Sequence, residues 1–269
     1  MPDPSGTQPD ASSDAPKSAS VDPTEIARFE KLGDQWWNLD GPQKALHRLN
    51  KVRVGYLRNL LCAHFPDGAA PRDRNGATPL RGITIVDIGC GGGLLSESLA
   101  RLGAEVTGVD PAAGNIDVAS RHAQGQGLKI DYRAGTVEAL ASEARQFDVV
   151  LAMEVIEHVS DWRGFLQACA KLVRPGGLFV GATLNRTLKS YALAIVGAEY
   201  LLHWVEAGTH DWNKFLRPDE LASPLLKAGL NEIDRAGITY RPLRDEWLLS
   251  GDFDVNYMIA MERPEQVTA

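Results

Sequence analysis

Two carboxylates and an imidazole stand together in the stretch MEVIEHVSD, Met153 to Asp161, where Glu154, Glu157 and His158 occupy positions i, i+3 and i+4. On a helical turn, residues at that spacing are neighbours. Two chemistries suit the set. In one, the carboxylates and the imidazole hold a divalent cation that polarises an acceptor oxygen; hard oxygen donors favour Mg²⁺, whereas an imidazole favours a transition metal. In the other, His158 or Glu157 takes a proton directly as a general base. A third reading involves no chemistry: the carboxylates complement a helix dipole while His158 caps or packs. His210, in GTHDW, is a further candidate base.

The elements that must position these groups are readable on either side. FDVVLAM, which ends at Met153, is a continuous apolar run and predicts a buried strand. Similar runs in ITIVDIG, AEVTGVD, KIDYRAG and GGLFVGATLN predict four more strands, with LLSESLARLG and WRGFLQACAKLVRPGG as helices between them. Such alternation predicts an α/β fold with a doubly wound, Rossmann-like parallel sheet. NEIDRAGITYRP and DFDVNYMIAMERP supply two closing strands, seven in all, after a helix in PDELASPLLKAGL. Ahead of the sheet, Asp22 can cap a helix that opens with Pro23 and carries Glu25, Ile26 and Phe29. Leu46, Leu49, Tyr56, Leu57 and Leu60 recur at helical spacing in a second helix. The expected organisation is a disordered tail over 1–21 and one domain over 22–263. Within it lie a helical cap (22–64), a core (83–185), an insertion (186–216) and a C-terminal helix with strands (217–263).

Composition narrows the partners. The chain has 269 residues, 44 % hydrophobic and 23 % charged, with a net charge of −7. An acidic balance argues against a nucleic-acid footprint, which needs clustered Lys and Arg. Cys62, Cys90 and Cys169 form no CxxC pair, so neither a disulfide framework nor a zinc knuckle is expected, and a cytoplasmic setting is.

VDIGCGGGLLSESLA places Gly89, Gly91 and Gly93 between a predicted strand and helix, and Asp110 ends the next strand 21 residues after Gly89. Glycines let backbone approach a ligand, and an acid at that distance can accept from ribose hydroxyls. The spacing G-x-G-x-G differs from the dinucleotide G-x-G-x-x-G. These residues resemble class I S-adenosylmethionine-dependent methyltransferases, in which the loop takes the methionine moiety, the acid takes the ribose, and positions such as Thr136 and Val137 flank the adenine. WWNLDGPQKALHRLNKVRVGYL, ATLNRTLKSYALAIVGAEYLLHWVEAGTHDWNKF and DVNYMIAMERP, together with MEVIEHV, resemble the ubiquinone-biosynthesis O-methyltransferase family over about Asp22 to Arg263. The resemblance departs at Ala45 and Lys51, where the family carries prolines.

What the resemblance implies is methyl transfer from S-adenosylmethionine to a hydroxyl of polyprenyl catechol or demethylubiquinol intermediates, at both O-methylation steps. It also implies a last strand antiparallel to the rest, cofactor contacts at Arg53, Gly89, Gly91, Asp110 and Met153, Mg²⁺ at Glu154, Glu157 and His158, and a quinone-synthesis complex as partner. Arg53 fits its part, since a guanidinium fork pairs bidentately with a carboxylate. The competing readings are the same fold acting on another small aromatic or polar acceptor, an NAD-dependent oxidoreductase, and a lipid-binding assembly factor. SYALAIVGAEYLLHWV, Ser190 to Val205, is about 24 Å long as a helix, short of the roughly 30 Å hydrocarbon core. With Arg186 and Lys189 ahead of it, residues 186–205 are expected as a peripheral contact with the inner face of the cytoplasmic membrane, or as a core helix or lid.

Overall fold

The computed structural model describes residues 20–193 and 211–265. Its strands are β1 (Thr84–Ile88), β2 (Glu105–Asp110), β3 (Asp131–Ala134), β4 (Phe147–Met153), β5 (Val173–Leu184), β6 (Asn231–Arg241), β7 (Glu246–Ser250) and β8 (Asn256–Glu262). They form one sheet in the order β3-β2-β1-β4-β5-β8-β6-β7. β1 to β5 pair in parallel, and β8 runs antiparallel to both β5 and β6. The doubly wound α/β class and the antiparallel final strand agree with expectation; the count does not, because an eighth strand is present. β7 is that strand, paired antiparallel to β6. Its sequence, EWLLS, is short, and the turn before it places Asp245 at φ 47° where hairpins usually carry Gly or Asn.

The helices are α1 (Pro23–Glu30), α2 (Lys44–His64), α3 (Leu94–Arg101), α4 (Ala113–Gly125), α5 (Val137–Ser142), α6 (Trp162–Leu172), α7 (Leu188–Ser190) and α8 (Pro218–Lys227). Asp22 accepts from Thr24 N at the start of α1, as its cap position predicts. α4 and α5 follow β2 and β3, where the sequence reading marked no helix; their apolar residues are few and scattered among small ones. Among the described residues no helix is long and apolar enough to cross a membrane. The predicted helix from Ser190 to Val205 falls mostly outside the described residues, as do His210 and all but two residues of the predicted tail. Ser20, one of those two, is buried, and its carbonyl accepts from Ser160 N.

Strand alternation sends side chains to two separate cores, one on each face of the sheet. In β4, Val149, Leu151 and Met153 face the layer containing Leu49, Tyr56, Leu57 and Leu61 of α2. Val150 and Ala152 face Phe165 and Leu166 of α6 and Leu221 of α8. Both faces are buried because parallel strands are covered by helices on each side, which is why these strands read as continuous apolar runs rather than alternating ones.

Candidate active site

A cleft of about 1160 Å³ opens at the carboxyl ends of β1, β2 and β4. On its nucleoside side the glycine loop turns at Gly89 and Gly91, with φ of 72° and 52°. These are left-handed values that a Cβ disfavours. Gly91 has a second reason to be glycine: a Cβ there would lie 2.5 Å from the Trp36 ring. Trp36 belongs to a 3-10 turn, Gly33–Trp37, that closes over the loop. Its Nε1 donates to Asn115 Oδ1 at 3.0 Å, and Asn115 Nδ2 donates to Asp110 Oδ1 at 3.2 Å. Asp110 also accepts from Gly91 N and Ala112 N, each at 2.9 Å. Three donors fix this carboxylate at the end of β2, while burial pushes its pKa above the ordinary aspartate range. Asp87, beneath the loop, accepts from Ser96 Oγ at 2.6 Å and is raised by burial to about 6.

The other cofactor candidates line the same cleft. Met153 is buried at the end of β4, and Val137 is buried at the start of α5. Thr136 lines it too, but its Oγ1 accepts from Ala139 N as the α5 N-cap, so its side chain is committed to the helix. Arg53 enters from α2 with a side chain only 3 % exposed and donates through Nη2 to Glu154 Oε1. Its Nε is buried without a partner.

The set in MEVIEHVSD is arranged differently from the helical turn its spacing predicts. Glu154 has φ 55°, a left-handed conformation, and only Ile156–His158 form a helical turn, of the 3-10 type. The spacing argument fails because Glu154, the first residue past β4, is still tied to the sheet edge: its N–H donates to Ala182 O on β5 at 2.9 Å. The three side chains consequently take different partners. Glu154 Oε1 accepts from Arg53 and, at 3.0 Å, from Asn256 Nδ2. Glu157 is buried; its Oε2 accepts from Thr183 Oγ1 at 2.8 Å and its Oε1 has no partner. Burial first, and the nearby charge of Glu154 second, push its pKa to about 7. His158 Nδ1 lies 3.1 Å from Glu25 Oε2 of α1, and the Phe29 ring meets the imidazole edge-on at 5.1 Å. Burial alone would pull the imidazole down, but the Glu25 hydrogen bond and the Glu157 charge outweigh it and raise the pKa. Among the described residues, no three His, Cys, Asp or Glu side chains converge on a point that would hold a metal ion.

A family profile described as a methyltransferase domain matches residues 86–181, which run from β1 into β5. The ubiquinone biosynthesis O-methyltransferase of Methylocella silvestris is 56 % identical over 91 % of this chain and 96 % of its own. That of Methylobacterium nodulans is 53 % identical over 91 % and 96 %. The chain belongs to the ubiquinone biosynthesis O-methyltransferase family. It is an S-adenosylmethionine-dependent O-methyltransferase. The fold is shared more widely: a magnesium protoporphyrin IX methyltransferase from Synechocystis PCC 6803 superposes with a TM-score of 0.61 at 19 % identity, covering 89 % of this chain and 99 % of that one. An N-methyltransferase from Bradyrhizobium japonicum gives 0.55 at 17 % identity, covering 90 % and 98 %.

Several residues of the site escaped the sequence reading. Glu25, Trp36, Asn115, Thr183 and Asn256 reach it from elements distant in the chain. The doubled Trp36-Trp37 was the available signal for one of them. Trp37 Nε1 donates to Gly92 O at 2.9 Å and its ring stacks on His122 at 3.5 Å, pinning the turn to the glycine loop.

Proposed function

We propose that this enzyme methylates a hydroxyl of polyprenyl catechol or demethylubiquinol intermediates, at both O-methylation steps of ubiquinone biosynthesis, as the names of its relatives suggest. The observation that carries the reading is the shared cleft: the glycine loop with Asp110 on one side, and Glu157 with His158 on the other. The remaining wall includes Leu193, Ile238, Trp247 and Val255, apolar surface suited to a prenyl chain.

In this reading Asp110 receives the ribose hydroxyls, Arg53 pairs with the methionine carboxylate, and Met153, Thr136 and Val137 border the adenosine. Displacement at the sulfonium needs little help with the leaving group, so the residues opposite must align the acceptor oxygen and remove its proton. A phenolic hydroxyl titrates near 10 in water. With Nδ1–H donating to Glu25, His158 Nε2 carries the lone pair that accepts the proton as the oxygen takes the methyl group, and Glu157 stabilises the imidazolium. Where a divalent cation such as Mg²⁺ binds instead, Glu154, Glu157, whose Oε1 is buried without a partner, and His158 would hold it, and Nε2 would then be a ligand rather than the base. Such a cation would lower the pKa of a catechol oxygen bound to it. Peripheral attachment to a membrane through residues 186–205, starting from exposed Leu188 and Tyr191, belongs to the same proposal.

The test is methyl transfer from S-adenosylmethionine to a short-chain polyprenyl catechol, with and without EDTA. Turnover on the catechol and not on simple phenols is expected, and EDTA should depress it. Faster turnover on unprenylated or non-catechol acceptors favours another substrate class, and an unchanged rate in EDTA removes the cation.

A further inference from the structure

Arg53 is a charged group deep in the protein, and it needs an anion. In the described residues Glu154 supplies it. Three features of that pair suggest a place-holder. First, only one nitrogen of the guanidinium fork reaches Glu154, while Nε is buried with no partner, so the fork has unused capacity for a bidentate acid. Second, Glu154 is held in a left-handed backbone conformation, uncommon for a non-glycine residue and kept only where surroundings enforce it. Third, both its donors, Arg53 and Asn256, meet the same oxygen, Oε1, and its side chain is 20 % exposed towards the cleft.

We infer that Glu154 stands on Arg53 in the place of the cofactor's carboxylate, and that cofactor binding exchanges one carboxylate for the other, turning Glu154 towards Glu157 on the acceptor side. The inference rests on the reading that Arg53 takes the methionine carboxylate. Two carboxylates on one buried fork would repel, so the incoming acid displaces the resident one. A site for the acceptor is thereby assembled only after the cofactor has bound.

The experiment is calorimetric titration of the EDTA-treated full chain with S-adenosylhomocysteine and, in parallel, with 5′-methylthioadenosine, which keeps the nucleoside and thioether but lacks the amino-acid carboxylate. Removing the competitor by Glu154→Gln should tighten S-adenosylhomocysteine by roughly 3- to 10-fold, the range of a modest coupling, and leave methylthioadenosine unchanged. Equal or weaker affinity for S-adenosylhomocysteine, or equal tightening of both ligands, overturns the exchange. Asn256→Ala, which loosens the hold on Glu154 Oε1, should tighten S-adenosylhomocysteine less but with the same sign; it decides the matter if Glu154→Gln fails to fold, with no tightening counting against the exchange. Arg53→Met separates the two ideas. If it weakens S-adenosylhomocysteine while Glu154→Gln does not tighten it, only the exchange falls. If Arg53→Met changes neither ligand, Arg53 is not the carboxylate partner and the reading beneath the exchange falls with it.

Discussion

The two walls of the cleft are built on different principles. On the nucleoside wall, the carboxylate of Asp110 is fixed by groups two, five and nineteen residues away, two of them backbone N–H donors. On the acceptor wall, His158 is fixed by a residue 133 positions away, and Glu154 by residues 101 and 102 positions away, all side chains. The first wall is a local consequence of a strand, a tight turn and a helix. The second exists only once α1, α2 and β8 have packed around it. Local construction gives a rigid receptor for an invariant nucleoside. Distant side chains give a wall whose charged groups can change partners, which suits a site that must accept a second substrate and move a proton.

That contrast predicts different kinds of failure. The largest effect is expected at the acceptor wall: His158→Ala should lower kcat by about 10²- to 10⁴-fold, the usual contribution of a general base. S-adenosylhomocysteine affinity should stay near wild type, because the imidazole lies outside the nucleoside wall. Steady-state kinetics with a parallel titration checks both, and a kcat within about twofold of wild type removes His158 from the chemistry. On the opposite wall, Asp110→Ala should cost binding instead. Losing even one hydrogen bond to a charged acceptor, at about 1.5–3 kcal/mol, corresponds to roughly 10- to 150-fold in affinity. Affinity that survives this change would place the ribose elsewhere.

The same division decides what could be read from the residues alone. The sheet, its continuous buried strands and the glycine loop followed by Asp110 follow from spacing within about thirty residues of chain, and those expectations agree with the fold. The helical-turn geometry of Glu154, Glu157 and His158 did not survive, because a backbone hydrogen bond to Ala182 on β5 ties Glu154 to the sheet edge and the helical turn starts only at Ile156. Periodicity cannot register that competition, since the decisive partner lies on another strand. β7 was missed for a related reason: its turn uses Asp245 in a left-handed conformation, without the glycine that marks a hairpin. Trp36, Asn115 and Glu25 were visible as residue types, yet nothing local says that an indole from the N-terminal turn rests on the glycine loop, or that a glutamate from α1 reaches His158.

Glu25 gives the mildest perturbation and the sharpest comparison between the walls. It lies on α1, outside the sheet, and its pKa is lowered chiefly by its hydrogen bond to His158. Reciprocally, that bond and the charge of Glu157 raise His158 against the downward pull of burial, with Arg28 opposing them. A base acts in its neutral form, so a raised pKa moves the acid limb of the rate profile above the ordinary histidine value of about 6.5, and the rate should fall as pH drops through that limb. Glu25→Gln keeps a hydrogen-bond acceptor but removes the negative charge. The imidazolium then loses stabilisation, the limb moves to lower pH, and the plateau rate falls by about 2- to 10-fold because a weaker base drives proton transfer less strongly. S-adenosylhomocysteine affinity should not change. A pH profile of kcat on the prenylated catechol reads the limb directly. If it stays in place while the plateau falls, Glu25 serves only to dock α1 against the 3-10 turn; if it moves down, an N-terminal helix tunes the proton acceptor of a site whose nucleoside wall it leaves untouched.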